Sequence, residues 1–174
     1  MNSHATVMSA VILGPEEGRI VDSPTAGRLS YKVRGAQTGG TVTVLEAVAP
    51  RGGPPLHRHT DADEFIYVLE GQLRVRLDEQ LLDAPAGSFV FIPKGLAHTW
   101  QNASDGPARF LGVFTPASPG MEEFFERAAE LPAETRLAEG FGRFAADAGI
   151  EVLGPPLAQP HPIAQATVPS GKSA

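Results

Sequence analysis

The sequence predicts an all-β barrel or sandwich with a short helical extension behind it. Three observations carry that expectation. Short apolar runs recur at close spacing, many alternating with period two. Glycine and proline, 19 and 16 of the 174 residues, fall between those runs. After Pro119 the periodicity changes to that of a helix.

The strands read in order as GRLSYKVRG, TVTVLEAVAP, EFIYVLE, QLRVRL, SFVFIP, HTWQN and ARFLGVFTP. Turn residues separate them at Glu70-Gly71, Ala86-Gly87, Lys94-Gly95 and Asp105-Gly106. Many short strands with regular turns suit an antiparallel barrel. Beyond Pro119, GMEEFFERAAEL places Met121, Phe124, Phe125 and Ala128 on one helical face, and Pro132 stops it. A second, weaker helix turns Leu137, Phe141, Phe144 and Ala145 inward, with Gly140 and Gly142 working against it. IEVLG reads as a short returning strand. The expected organisation is therefore N-terminal strands packing on the barrel over 1–40, a barrel core over 41–117, C-terminal helices over 118–153, and a flexible tail over 154–174. No internal repeat is visible, so a single barrel is expected.

Composition narrows the function classes. Apolar residues make up 42% and charged residues 20%, ordinary values for a globular chain of one domain. A net charge of -6 and the lack of a basic stripe argue against nucleic acid. The absence of cysteine excludes disulfides, thiolate nucleophiles and thiolate-bound metal. The apolar run Val7–Leu13 is too short to span a membrane and lacks a basic lead. A cytoplasmic protein with no membrane partner is the default expectation.

Chemistry-bearing residues concentrate in PPLHRHTDADEFIYVLEG, Pro54 to Gly71. His57 and His59 are two apart, so on a strand both point to one face. Glu64 is five beyond His59, the wrong parity for one continuous strand. TDAD between them is turn-like, so a new strand starting near Glu64 would turn Glu64, Ile66 and Val68 inward and Phe65, Tyr67 and Leu69 outward. Both faces are apolar beyond Glu64, so both are expected to be covered. A second element, GSFVFIPKGLAHTWQN, puts His98, Trp100 and Asn102 on one face after a Pro93-Lys94-Gly95 turn. A lone barrel histidine is usually a packed core residue; four ligand-type residues in this spacing reverse those odds, because buried ionisable groups seldom go unpaired. Asp61 and Asp63 read as solvated turn residues, Asn102 as a loop-pinning side chain, and His4 and His161 receive no role.

These residues resemble the two signatures of the cupin superfamily. His57, His59, Glu64 and Gly71 match the first, His-x-His, four residues, Glu, six residues, Gly. Gly87, Pro93, Gly95, His98 and Asn102 match every position of the second. One departure is Arg51, where the first signature has glycine; Gly52 and Gly53 follow directly. The resemblance implies a double-stranded β-helix, the jelly-roll barrel, and a metal site of His57, His59, Glu64 and His98. Imidazole and carboxylate suit one divalent transition ion: Fe, Mn, Ni, Cu, Co or Zn.

Three functions fit such a site. The chain resembles small bacterial cupins similar to quercetin 2,3-dioxygenase, with softer likeness in FFERAAELP and AGIEVLGPP. That implies a dioxygenase taking a small aromatic or enolic substrate and dioxygen, with Glu64 as both ligand and proton acceptor; strand parity makes Ile66, Val68 and Trp100 the expected pocket walls. The alternatives are a non-oxidative isomerase, lyase or decarboxylase using the same ion as a Lewis acid, and a metal-containing binding module without turnover. The resemblance also implies a homodimer.

Overall fold

The computed structural model describes residues 9–14, 17–23, 26–130 and 140–158. His4, Leu137, His161 and the stretch 159–174 lie outside the described residues, as does the side chain of Phe141. Two antiparallel sheets face each other. The larger has six strands in the order β1 (Arg19–Ser23), β2 (Gly27–Val33), β3 (Thr43–Ala49), β10 (Ala108–Thr115), β5 (Asp63–Glu70), β8 (Phe89–Ile92). The smaller has five: β11 (Ile150–Gly154), β4 (Leu56–His59), β9 (His98–Asn102), β6 (Gln72–Leu77), β7 (Gln80–Pro85). Two helices, α1 (Pro119–Glu130) and α2 (Gly140–Ala146), precede β11. The architecture is the jelly-roll barrel that the resemblance implies.

Period-two alternation produces the barrel. Along β3 and β10 every second residue is buried, which gives Leu45, Ala47, Phe110 and Phe114 to the interior. Such strands bury one face against the opposite sheet, about 10 Å away. The core continues through Leu29, Ile66, Val68, Leu73, Val75 and Ile92. Two strands escape a pattern search. RIVDS (β1) is too short, and QLLDAP (β7) leaves most of its residues exposed.

Two features beyond the alternation tie the barrel to its site. Gly53 passes so close to β9 that a Cβ there would lie 1.7 Å from the Trp100 carbonyl oxygen. Only a residue without a side chain allows that approach. Asn102, buried in β9, donates to the Ala49 and Gly106 carbonyls and accepts from the Ser104 amide, pinning the loop before β10.

The helical extension is longer-reaching than its sequence suggests. α1 buries Met121, Phe124 and Ala128, and also Glu122. In α2, Ala145 is buried and Phe144 half-buried. β11 pairs with β4, placing Val152 opposite His57 and Ile150 opposite His59. The pairing continues into the stretch read as tail: Gly154 ends β11, and the Leu56 amide donates to the Pro155 carbonyl.

Candidate metal centre

His57 and His59 share the inner face of β4, as their spacing requires. β5 does not pair with β4; the TDAD turn carries the chain from the smaller sheet across to the larger one. Glu64 thereby faces the two imidazoles from the opposite wall. His98 stands directly across from His57 in the β4–β9 pair. All four residues are buried, and one donor atom from each lies within 4.8 Å of the others. The Nε2 atoms of His59 and His98 are 3.1 and 3.0 Å from Glu64 Oε2.

Main-chain carbonyls fix the tautomers. His57 Nδ1 lies 2.8 Å from Pro55 O, and His98 Nδ1 lies 2.9 Å from Leu96 O. A carbonyl can only accept, so in both rings Nδ1 carries the proton and Nε2 faces the cluster. Burial pulls His57 down to about 3, helped by the neighbouring His98 and His59 rings, so its Nε2 presents a lone pair. For His98 burial also works against charge, but the hydrogen bond to Glu64 outweighs it and raises the imidazole above 6.5. Burial opposes ionisation of Glu64 too; the hydrogen bonds to His59 and His98 win, holding the carboxyl well below the ordinary carboxylate range. The result is a carboxylate, a lone-pair imidazole and a shared proton in one buried space. Three neutral nitrogens and one anionic oxygen are a donor set that fits a divalent transition ion, which would take the place of that proton.

His57, His59 and Glu64 form the polar wall of a cavity, while His98 is buried outside its lining. Leu29, Leu45 and Ala47 line one side from β2 and β3, and Phe110 and Phe114 from β10. Trp100 also lines it, meeting Phe110 edge-on at 4.9 Å. The extension closes the rest with Phe124 and Phe125 of α1, Ala145 of α2, and Ile150 and Val152 of β11. Among the described lining residues there is no lysine or arginine.

Of the three residues expected as pocket walls, Trp100 borders this cavity. Ile66 and Val68 do not: they share the inward face of Glu64 but are wholly buried in the core. Parity along β5 identifies the face correctly, yet the cavity extends toward β2, β3 and the helices, away from the β8 side. The walls from β3 and β10 were signalled by their alternation, while the contributions of Ile150 and Val152 follow from the β11–β4 pairing, which no local pattern reveals.

Residues 44–114 match the family model Cupin_2, described as a cupin domain. The match takes in the barrel core, and the barrel has the fold of the cupin double-stranded β-helix. It superposes on a RmlC-like cupin from Shewanella frigidimarina with a TM-score of 0.55, covering 65% of this chain and 96% of that one at 17% identity. Among curated sequences, Germin-like protein 1 of Brassica napus is 32% identical over 48% of this chain and 42% of its own length. Polyketide synthase CurC of Streptomyces cyaneus is 35% identical over 36% of this chain and 41% of its own. The chain thus spans less than half the length of either relative.

Proposed function

We propose that this cupin is a metal-dependent dioxygenase acting on a small aromatic or enolic substrate. One observation carries the reading: a complete three-histidine, one-glutamate cluster presents His57, His59 and Glu64 to a cavity whose other walls are apolar and aromatic. A carboxylate or phosphate substrate would find no lysine or arginine among the described lining residues, leaving the ion as its sole countercharge. A neutral enol or phenol needs only one polar anchor and a dry, aromatic surround.

His57, His59, Glu64 and His98 would hold the ion, which when bound lowers the pKa of a hydroxyl at the site. Glu64 is the anionic member of the cluster. Its Oε2 receives the enol proton and keeps it beside His59 and His98. Phe114, edge-on to His59 at 5.3 Å, and Trp100 with Phe110 provide flat walls against which an aromatic ring can lie. Phe124 and Phe125 exclude water from the helical side.

The likeness to polyketide synthase CurC favours a second reading. Glu64 would take the same proton from a polyketide-like enol, and no dioxygen would be consumed. Metal analysis of the purified chain followed by oxygen-electrode assays on neutral aromatic enols separates the two. Near-stoichiometric metal with oxygen uptake is expected. Substrate loss without oxygen uptake would replace the first reading by the second. A chain that takes up none of the six candidate ions would overturn both.

A further inference from the structure

A glycine sits where the larger sheet has least use for one. Gly112 lies in the middle of β10, between β3 and β5, in register with Leu45 on one side and Ile66 on the other. It is buried and lines the cavity. Glycine inside a strand weakens it and adds no side chain to the core, so its presence there asks for a local cause. The ordinary causes are missing. Its φ lies outside the left-handed region, and the irregularity in the β10–β5 register falls elsewhere, at Arg109/Phe110. No backbone crosses it closely: the nearest atoms to an added Cβ would be Leu45 Cδ1 at 3.1 Å, Leu45 Cγ at 3.6 Å and Phe114 Cε2 at 3.6 Å, all in side chains. Leu45 itself borders the cavity, so it has room to yield.

What the glycine leaves is space at a particular point. Alternation puts Phe110, Gly112 and Phe114 on one inward face, so the missing side chain is a gap between two phenyl rings. Phe114 is in register with Glu64, while Phe110 is in register with Ala47, which Leu29 of β2 borders in turn. Glu64 and Leu29 both line the cavity from strands three spacings apart, about 14 Å along the sheet. The line between them crosses Gly112, and one aromatic ring does not fill that length.

We infer that Gly112 determines the size of substrate this site admits, its gap seating the second ring of a neutral bicyclic enol whose hydroxyl lies at Glu64. The inference deepens the enol reading above and rests on it. The test is isothermal titration calorimetry of the full chain as purified, with phenol and 2-naphthol as probes. The wild type is expected to bind 2-naphthol about tenfold tighter than phenol, the gain from burying a second ring. Gly112→Val fills the gap and should erase that preference, weakening 2-naphthol about tenfold and leaving phenol unchanged. Metal per chain should equal that of the wild type. The melting temperature should be no lower, because valine suits a strand better than glycine. A glycine kept for structure would behave in the opposite way, with a lower melting temperature and an unaltered preference. If Gly112→Val misfolds, Gly112→Ala replaces it and should stay folded while losing part of the preference. A wild type that binds neither probe or prefers neither would overturn the inference. So would a variant that keeps the preference or weakens both probes alike, or the misfolding of both variants. Oxygen uptake, read separately, tells the two proposals apart. Binding of 2-naphthol that depends on Gly112 but consumes no oxygen would fault the dioxygenase reading alone. Oxygen uptake with 2-naphthol that is equal in wild type and Gly112→Val would fault this inference alone.

Discussion

At the residue scale, the four ligand candidates differ in what holds them. His57 and His98 are each oriented by a carbonyl two residues upstream, so their Nε2 positions belong to the backbone rather than to the ion. His57→Ala and His98→Ala should each cut bound metal at least tenfold while leaving the circular dichroism spectrum unchanged, as read by plasma mass spectrometry on protein purified without added metal. Retained stoichiometric metal in both variants would contradict the ligand set. Glu64→Gln should keep part of the metal, because the imidazoles remain, yet lose turnover on any enol the wild type consumes. Full activity in that variant would remove Glu64 from the proton-accepting role. These residues are legible in the sequence because their spacing is local: two short stretches, one with His57, His59 and Glu64 and one with His98, contain the whole set. Ile66 and Val68 illustrate the limit. Period two reports which face a side chain takes, but not which part of the interior that face meets.

At the element scale, α1 is fastened to the barrel by a buried carboxylate. Glu122 accepts from Thr43 Oγ1 at 2.5 Å, the Gly35 amide at 2.8 Å and Arg34 Nε at 2.9 Å, while its own carbonyl accepts from Tyr31. The clamp sets the height of the helix whose next turn supplies Phe124 and Phe125 to the cavity. Burial opposes ionisation of Glu122, but the donors from Thr43, Gly35 and Arg34 prevail and hold it below 4.5. The unfolded chain therefore binds this proton at higher pH than the folded one. The contribution to stability is complete above the unfolded value and fades as pH falls through the folded value. Glu122→Gln should cost about 2 kcal/mol at neutral pH, measured by urea denaturation. Its gap from wild type should narrow on acidification below about pH 4.5, the ordinary carboxylate value. A pH-independent gap would contradict the clamp. The sequence hides this residue, because a glutamate in the first turn of an amphipathic helix looks like an ordinary solvated charge. Gly53→Ala is the second test at this scale. The close approach to Trp100 should make it cost about 3 kcal/mol, or roughly 6–12 °C in Tm; an unchanged melting curve would show that the loop yields freely.

At the scale of the whole molecule, the barrel and the extension divide the work. Strands β4, β5 and β9 hold the polar cluster, whereas α1, α2 and β11 supply much of the apolar wall. An all-β barrel or sandwich could be anticipated from alternation and turn chemistry, the barrel itself from the resemblance, and the outward aromatics were visible as runs apolar on both faces. The inside of that sheet is covered by this chain, but the described residues leave the outside bare. What escaped the sequence was long-range: which strand borders the ligand strand, and where the cavity opens. Substitutions at Phe124 or Phe125 should therefore alter which enols bind while leaving metal content unchanged. Loss of metal in either variant would show that the two parts are not separable.

The pairing of β11 with β4 also has a meaning in time. Apart from β11, the described partner of the histidine strand is β9, which meets it at one residue pair, His57 with His98. Of the described elements, β11 is the last to leave the ribosome. Until it arrives, His57 and His59 sit on a poorly held strand beside a half-built wall. Acquisition of the ion is thus expected to be a late event in the life of the chain, following completion of the fold instead of nucleating it.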